Sequence, residues 1–242
     1  MSRLPTELDR LYLAGPAGAP AQARLVDDAG AVRAIVLEVV QPTNWDALSE
    51  VWQGVQVELE LPAPAIAVSG RDGLQLWFSL EAAIPASRAH AFAEALRDRF
   101  LAHVPETRVR LWPTSGQPPR HAALAPALQD DSGNWSAFVA PDLAAIFSET
   151  PWLDVEPGDE GQAALLRALQ PIKPAAFDAA LAGMRATARH APAVAVAPTP
   201  ADEAGAVAAS DGANDPRRFL LRVMNDETVP MGLRIEAAKA LL

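Results

Sequence analysis

Ala65-Ile66-Ala67-Val68-Ser69-Gly70-Arg71-Asp72-Gly73-Leu74-Gln75-Leu76-Trp77-Phe78-Ser79-Leu80 sets two apolar runs on either side of a Ser-Gly-Arg-Asp-Gly turn. The second run alternates Leu74, Leu76, Phe78 and Leu80 with Gln75, Trp77 and Ser79. That period of two marks a strand with distinct faces. A carboxamide and an indole on one strand face, beside a glycine-bounded turn, form a surface that can display a binding site. The same pattern serves a tight hairpin whose Trp77 packs into a core.

The flanking sequence extends this hairpin. Ala34-Ile35-Val36-Leu37-Glu38-Val39-Val40 is nearly all apolar, as a central strand covered on both faces requires. Pro42-Thr43-Asn44 opens a helix with Thr43 or Asn44 as N-cap, and Leu48, Val51, Trp52, Val55 and Leu59 follow in helical phase. Alternation over Val55, Val57, Leu59 and Leu61 also allows a strand there, and Gly54 weakens the helix. Pro85 and Ser87 start a second helix carrying Phe92, Ala93, Leu96 and Phe100, and Thr107 to Trp112 reads as another strand. The order β-α-β-β-α-β from Ala31 to Trp112 is the split βαβ arrangement, ferredoxin-like or RRM-like, within an α+β class.

Outside this core, Leu11-Tyr12-Leu13 and Ala23-Arg24-Leu25-Val26 read as extra N-terminal strands, with Asp27 to Gly30 as a hairpin turn. Gln117 to Pro126 is loop, Asn134 to Val139 a strand or buried segment, and Pro141 to Phe147 a short helix. Helices are expected over Gly161 to Leu169 and Pro174 to Arg189. The Ala/Pro-rich stretch 190–214 lacks aromatics and reads as a flexible linker, followed by a helical docking segment over 215–242. Residues 1–189 thus form the folded domain.

Composition narrows the chemistry. The 242 residues hold no cysteine, so disulfides, thiolate metal sites and cysteine nucleophiles are excluded. The net charge of −10 and only two lysines, Lys173 and Lys239, disfavour broad contact with a phosphate backbone and leave room for a local arginine patch. No segment is apolar over roughly 18 residues, and the N-terminus lacks an apolar signal core, so no membrane partner and a cytoplasmic location are expected. His90, His103, His121 and His190 share no metal-ligand spacing, which favours surface or capping roles. Glu58, Glu60 and Glu38 suggest paired carboxylates only if the first two lie on a strand. Glu38 interrupts an apolar strand and needs a partner or a use; Arg71, Arg108 and Arg110 are the candidates to pair with it.

This arrangement resembles the archaeo-eukaryotic primase (prim-pol) superfamily, including primase-like domains of plasmid and phage replication proteins. The resemblance covers Ala31 to Gly116: Ala34 to Val40 sits at the first motif, Pro62 to Phe78 at the second, and Arg110-Leu111-Trp112-Pro113-Thr114-Ser115-Gly116 near the last. It implies acids holding two divalent ions and a histidine contacting nucleotide phosphates. Glu38 would stand for the first acid, as a remnant catalytic candidate, but Val40 occupies the place of the second and Gln75 that of the histidine. One carboxylate does not support two-metal phosphoryl transfer. No metal or other cofactor is expected, a divalent ion being needed only if nucleotidyl transfer persists. The segment from Phe219 to Ala240 is similar to short helical segments of phage small-terminase-like bacterial proteins, which implies a protein partner.

The expected function is a non-catalytic nucleic-acid- or nucleotide-associated protein of a mobile element or phage-derived locus. Ser69, Arg71, Gln75, Trp77, Arg108 and Arg110 are its candidate contacts to single-stranded nucleic acid or nucleotide. The alternative is a protein-interaction module that binds no nucleic acid, in which the sheet face around Gln75 and Trp77 is buried under the segment from Asn134 to Arg189.

Overall fold

The computed structural model describes residues 3–14, 24–42 and 45–190. The expected N-cap at Thr43 or Asn44, the 190–214 linker and the 215–242 helices lie outside the described residues, apart from His190 at a helix end. In order, the elements are α1 (Leu4–Leu11), β1 (Ala31–Val40), α2 (Trp45–Val57), β2 (Ala65–Val68), β3 (Gly73–Pro85), α3 (Ala86–Phe100), β4 (Val109–Trp112), β5 (Ala127–Leu128), β6 (Trp135–Val139), α4 (Asp159–Arg167) and α5 (Pro174–His190). Two 3-10 turns, Glu106–Arg108 and Ala144–Ser148, complete the set.

The strands form one curled antiparallel sheet in the order β4-β1-β3-β2-β6-β5. It is covered on both sides. One layer packs Ile35, Leu37, Leu74, Leu76 and Phe78 beneath α2, α3 and α5, where Phe92 lies against Phe177 at 4.7 Å. On the opposite face Val36, Ala65 and Trp77 meet Leu4, Leu8 and Leu11 of α1 together with Ala163 and Leu166 of α4. Apolar side chains on both faces of β1 and β3 therefore require two helical layers.

The N-terminal segment corrects the expected strand at Leu11–Leu13. Leu4, Leu8 and Leu11 recur at helical spacing, and Pro5 occupies the first turn, where its missing N–H costs nothing. Of the second expected strand, Val26 makes a single bridge to Val32 across the Asp27–Gly30 turn. The Asp27 carboxylate holds that turn by accepting from the amides of Ala29 and Ala31 at 2.9 and 2.7 Å.

A bulge joins β1 to α1. Val32 pairs with Ile84 but Ala34 with Ser79, so extra β3 residues loop out between them. Arg33 fills the gap. Its guanidinium donates to Leu80 O on the bulged strand and to Asp9, Arg10 and Leu13 carbonyls at the C-terminal end of α1. Helix-end carbonyls lack intrahelical partners, so one buried-edge arginine caps the helix and ties it to the sheet. Arg10 does the same for α4, donating to Leu166 O and Leu169 O.

Helix α2 ends at Val57, which settles the ambiguity at Val55–Leu61 in favour of helix with a short extended exit. Gly54 is required by packing: a Cβ there would lie 2.3 Å from the Phe100 ring of α3. Glycine inside a helix costs roughly 1 kcal/mol against alanine, so a close helix-to-ring approach is what retains it. Gly54→Ala is expected to destabilise the domain by about 1–3 kcal/mol in urea unfolding, against its favourable propensity. In a Phe100→Ala background the same change should turn neutral or stabilising.

Candidate functional site

Register lines up the site. Arg110 of β4 lies opposite Glu38 of β1, Glu38 opposite Gln75 of β3, Gln75 opposite Ala67 of β2, and Ala67 opposite Phe138 of β6. This row crosses five strands and brings together three expected site residues, Glu38, Gln75 and Arg110. Glu38 is 2% exposed. Its carboxyl group fits over Gly73, where a Cβ would come within 2.3 Å of Oε1. The Ser69 hydroxyl and the Gln75 amide hydrogen-bond it. Arg110 Nη1 lies 3.5 Å from Glu38 Oε1, while the guanidinium grips Asp72 through two bonds of 2.9 and 2.8 Å. Of the three arginines considered as partners for Glu38, the register therefore selects Arg110.

Burial dominates the charge state of Glu38. Loss of water pushes its pKa up to about 7, against the lowering field of Arg110, with Asp72 adding to the rise. In the folded chain Glu38 holds its proton to near-neutral pH.

Ser69 organises the turn. Its hydroxyl accepts from the amides of Gly73 and Arg71 at 2.9 and 3.2 Å, and its own N–H donates to Gly73 O at 2.9 Å. Gly70 has φ +78° and sits 2.7 Å, measured from a would-be Cβ, from the backbone nitrogen of Ser136. Positive φ and close backbone approach both demand glycine. Arg71 turns towards the β5–β6 hairpin, donating to Gln129 Oε1 at 2.8 Å and pairing with Asp131 at 2.9 Å. Arg108 donates to Val40 O at 3.5 Å and to Pro42 O. Each candidate arginine thus already serves a group of its own chain.

Trp77 and Gln75 are not displayed. Trp77 is 0% exposed and Gln75 6%. The indole N–H donates to Gln75 Oε1 at 2.8 Å, while its ring meets Tyr12 at 5.3 Å, Phe138 at 5.8 Å and His121 at 6.4 Å. No indole face is left for a base to stack on. His121, expected in a surface or capping role, is half-buried: its Nε2 meets Ala34 O at 3.1 Å, and desolvation lowers its pKa to about 4. His90 is half-buried with Nδ1 at 2.8 Å from Pro113 O, and His103 is exposed. Glu58 pairs with Arg99 at 2.6 Å and Glu60 lies beyond the helix, so neither faces Glu38.

Helix α4 matches the helix expected over Gly161 to Leu169, whereas α1 and His121 were missed as covering parts; the spacing of Leu4, Leu8 and Leu11 was the available signal for α1. Two divalent ions do not fit the row. Glu38 is the one buried carboxylate there, its nearest acidic neighbour Asp72 is held by Arg110, and that cation already approaches Glu38. Among the described residues no cluster of three His, Cys, Asp or Glu can hold a metal, and no helix is long and apolar enough to cross a membrane. The sequence matches no protein-family model and no curated protein.

The Glu38 geometry sets a pH dependence. A folded-state pKa near 7, above the unfolded value of 4.5, means the folded chain binds this proton more tightly. Stability from Glu38 is then full below about pH 4.5, falls between 4.5 and 7, and above 7 the buried charge costs about 3 kcal/mol. Glu38→Gln should flatten urea stability across that window and exceed the parent by about 1–3 kcal/mol at pH 8. A variant that keeps the full slope would assign the titration to another group.

Proposed function

We propose that this domain is a non-catalytic protein-interaction module with a degenerate primase–polymerase-like fold, of the kind carried by mobile elements or phage-derived loci. The observation that carries this reading is the filled sheet face: Trp77 and Gln75 lie beneath α1 and α4. A sheet that recognises single-stranded nucleic acid needs exposed rings and a basic groove. Here the rings pack on each other, Arg71 and Arg110 pair with Asp131 and Asp72, and Arg108 donates to backbone carbonyls. The chain's charge of −10 adds long-range repulsion of phosphate.

Kinship to the βαββαβ folds draws support from the strand order. Within β4-β1-β3-β2, α2 connects β1 to β2 and α3 connects β3 to β4, with both helices on one face. This order supports a ferredoxin-like reading, with β6 and β5 as extensions and a second face that is covered. Glu38 at the first-motif position, met by a guanidinium, is consistent with lost nucleotidyl transfer.

Fluorescence anisotropy with a labelled oligo-dT at about 50 mM salt tests the reading, because phosphate contacts are strongest at low ionic strength. The full chain is expected to leave the anisotropy unchanged. Saturable, salt-sensitive binding that falls on Arg108→Ala or Arg110→Ala would overturn it and return the domain to the nucleic-acid-binding class.

A further inference from the structure

The chain between β6 and α4 forms a strap. It leaves Val139, folds through the 3-10 turn Ala144–Ser148 and returns to the start of β6, where Leu153 and Trp135 exchange backbone hydrogen bonds of 2.8 and 3.0 Å. Gln41 Nε2 donates to Glu149 O at 2.7 Å and Gly70 N to Pro151 O at 3.0 Å, pinning it along its length. Because it retraces five residues of strand, the strap runs about 15 Å across the surface.

Its inner and outer sides differ by a period of three. Ala144 is buried and Phe147 packs on the core, whereas Leu143 and Ile146 point outward at 46% and 69% exposure. Residues three apart eclipse in a 3-10 turn, so these two side chains stack into one apolar ridge. Val155, just past the Trp135–Leu153 bridge, is 71% exposed. Together with Leu128 these are four of the five large apolar side chains exposed among the described residues, the fifth being Val57.

The charge around them is one-sided. From His121 to Leu166 the sequence has eight Asp and Glu and no Lys or Arg. Asp142, Glu149, Asp154 and Glu156 adjoin Leu143, Ile146 and Val155 in sequence, are exposed, and are in no ion pair among the described residues. Elsewhere on the domain Glu7, Glu58, Asp98 and Asp178 each pair with an arginine.

We propose that the strap's outer side, Leu143, Ile146 and Val155 within their acidic frame, is the docking surface for a basic amphipathic helix of a partner protein. This rests on the interaction-module reading and names the class of partner. Scattered apolar residues on a surface need no explanation, but an apolar ridge inside a run without a single cation selects its occupant by charge. A helix with Leu or Ile at i, i+3 and i+4 flanked by Lys or Arg meets both features, and ten to twelve residues of it span about 15–18 Å, the length of the strap. Nucleic acid and anionic membrane are repelled by the same carboxylates.

The test uses the full chain and two synthetic peptides of identical Leu, Lys and Ala composition, one with helical amphipathic spacing and one scrambled, in calorimetric titrations. The amphipathic peptide is expected to bind at least about 10-fold more tightly than the scrambled one, and Ile146→Ser with Val155→Ser to reduce that affinity by at least about 10-fold. Both positions are exposed, so an unchanged unfolding midpoint will show the fold intact. Equal affinity for the two peptides, no binding of either, or undiminished binding to the double variant each overturns the docking surface. These results are separate from the oligo-dT measurement: binding of the oligonucleotide overturns the interaction-module reading whatever the peptides do.

Discussion

Burial of Trp77 is the constraint around which the second half of the chain is arranged. Strand β3 carries leucines and phenylalanine on one side and this indole on the other, and neither side tolerates water. An indole buries on the order of 200 Å² and must also satisfy its N–H. The second requirement explains Gln75, whose carboxamide accepts from the indole at one end and reaches the Glu38 carboxyl at the other. The first explains why α1 and α4, far apart in sequence, converge on the same patch of sheet.

Polar groups inside the second layer follow a consistent logic. Arg33 and Arg10 satisfy carbonyls at the C-terminal ends of α1 and α4, and Gln162 closes both backbone groups of Phe138 through its side-chain amide. Each of these three side chains therefore satisfies backbone groups that lack a ladder or helix partner. Two atoms break the pattern: Tyr12 Oη and His121 Nδ1 have no partner, and both belong to rings packed on Trp77. Aromatic packing around the indole outweighs about 1–3 kcal/mol of lost solvation at each.

Residues 31–112 were legible because their information is local. Alternation, proline punctuation and helical phase each span fewer than about fifteen residues, and the expected strands and helices appear with shifted ends. Glu38 also announced its need for a partner, and only the β1–β4 register was required to choose Arg110. Of what covers Trp77, helix α4 was legible as a helix over Gly161 to Leu169, but nothing local tied it or α1 to that face. Alternating polar residues on a strand look the same whether that face meets water or a helix supplied from elsewhere. Gly54 shows the same limit, although the helix was expected in spite of it: it reads as a helix weakener in isolation and as a contact surface once Phe100 is beside it. Leu4, Leu8 and Leu11 held the missing clue, though a helix of two turns competes poorly with a short strand on pattern alone.

The bonds from Arg10 to Leu166 and Leu169 join residues more than 150 positions apart. A chain emerging from the ribosome exposes α1 well before α4, so α1 must wait for its neighbour while the intervening strands and helices are made. Its apolar face has only nascent sheet to rest on until then. Closure of this layer is the long-range step of folding, with the loop entropy that such separations impose. The outer layer therefore waits on the meeting of residues 4–11 with residues 159–169, and the inner one on the still later helix α5.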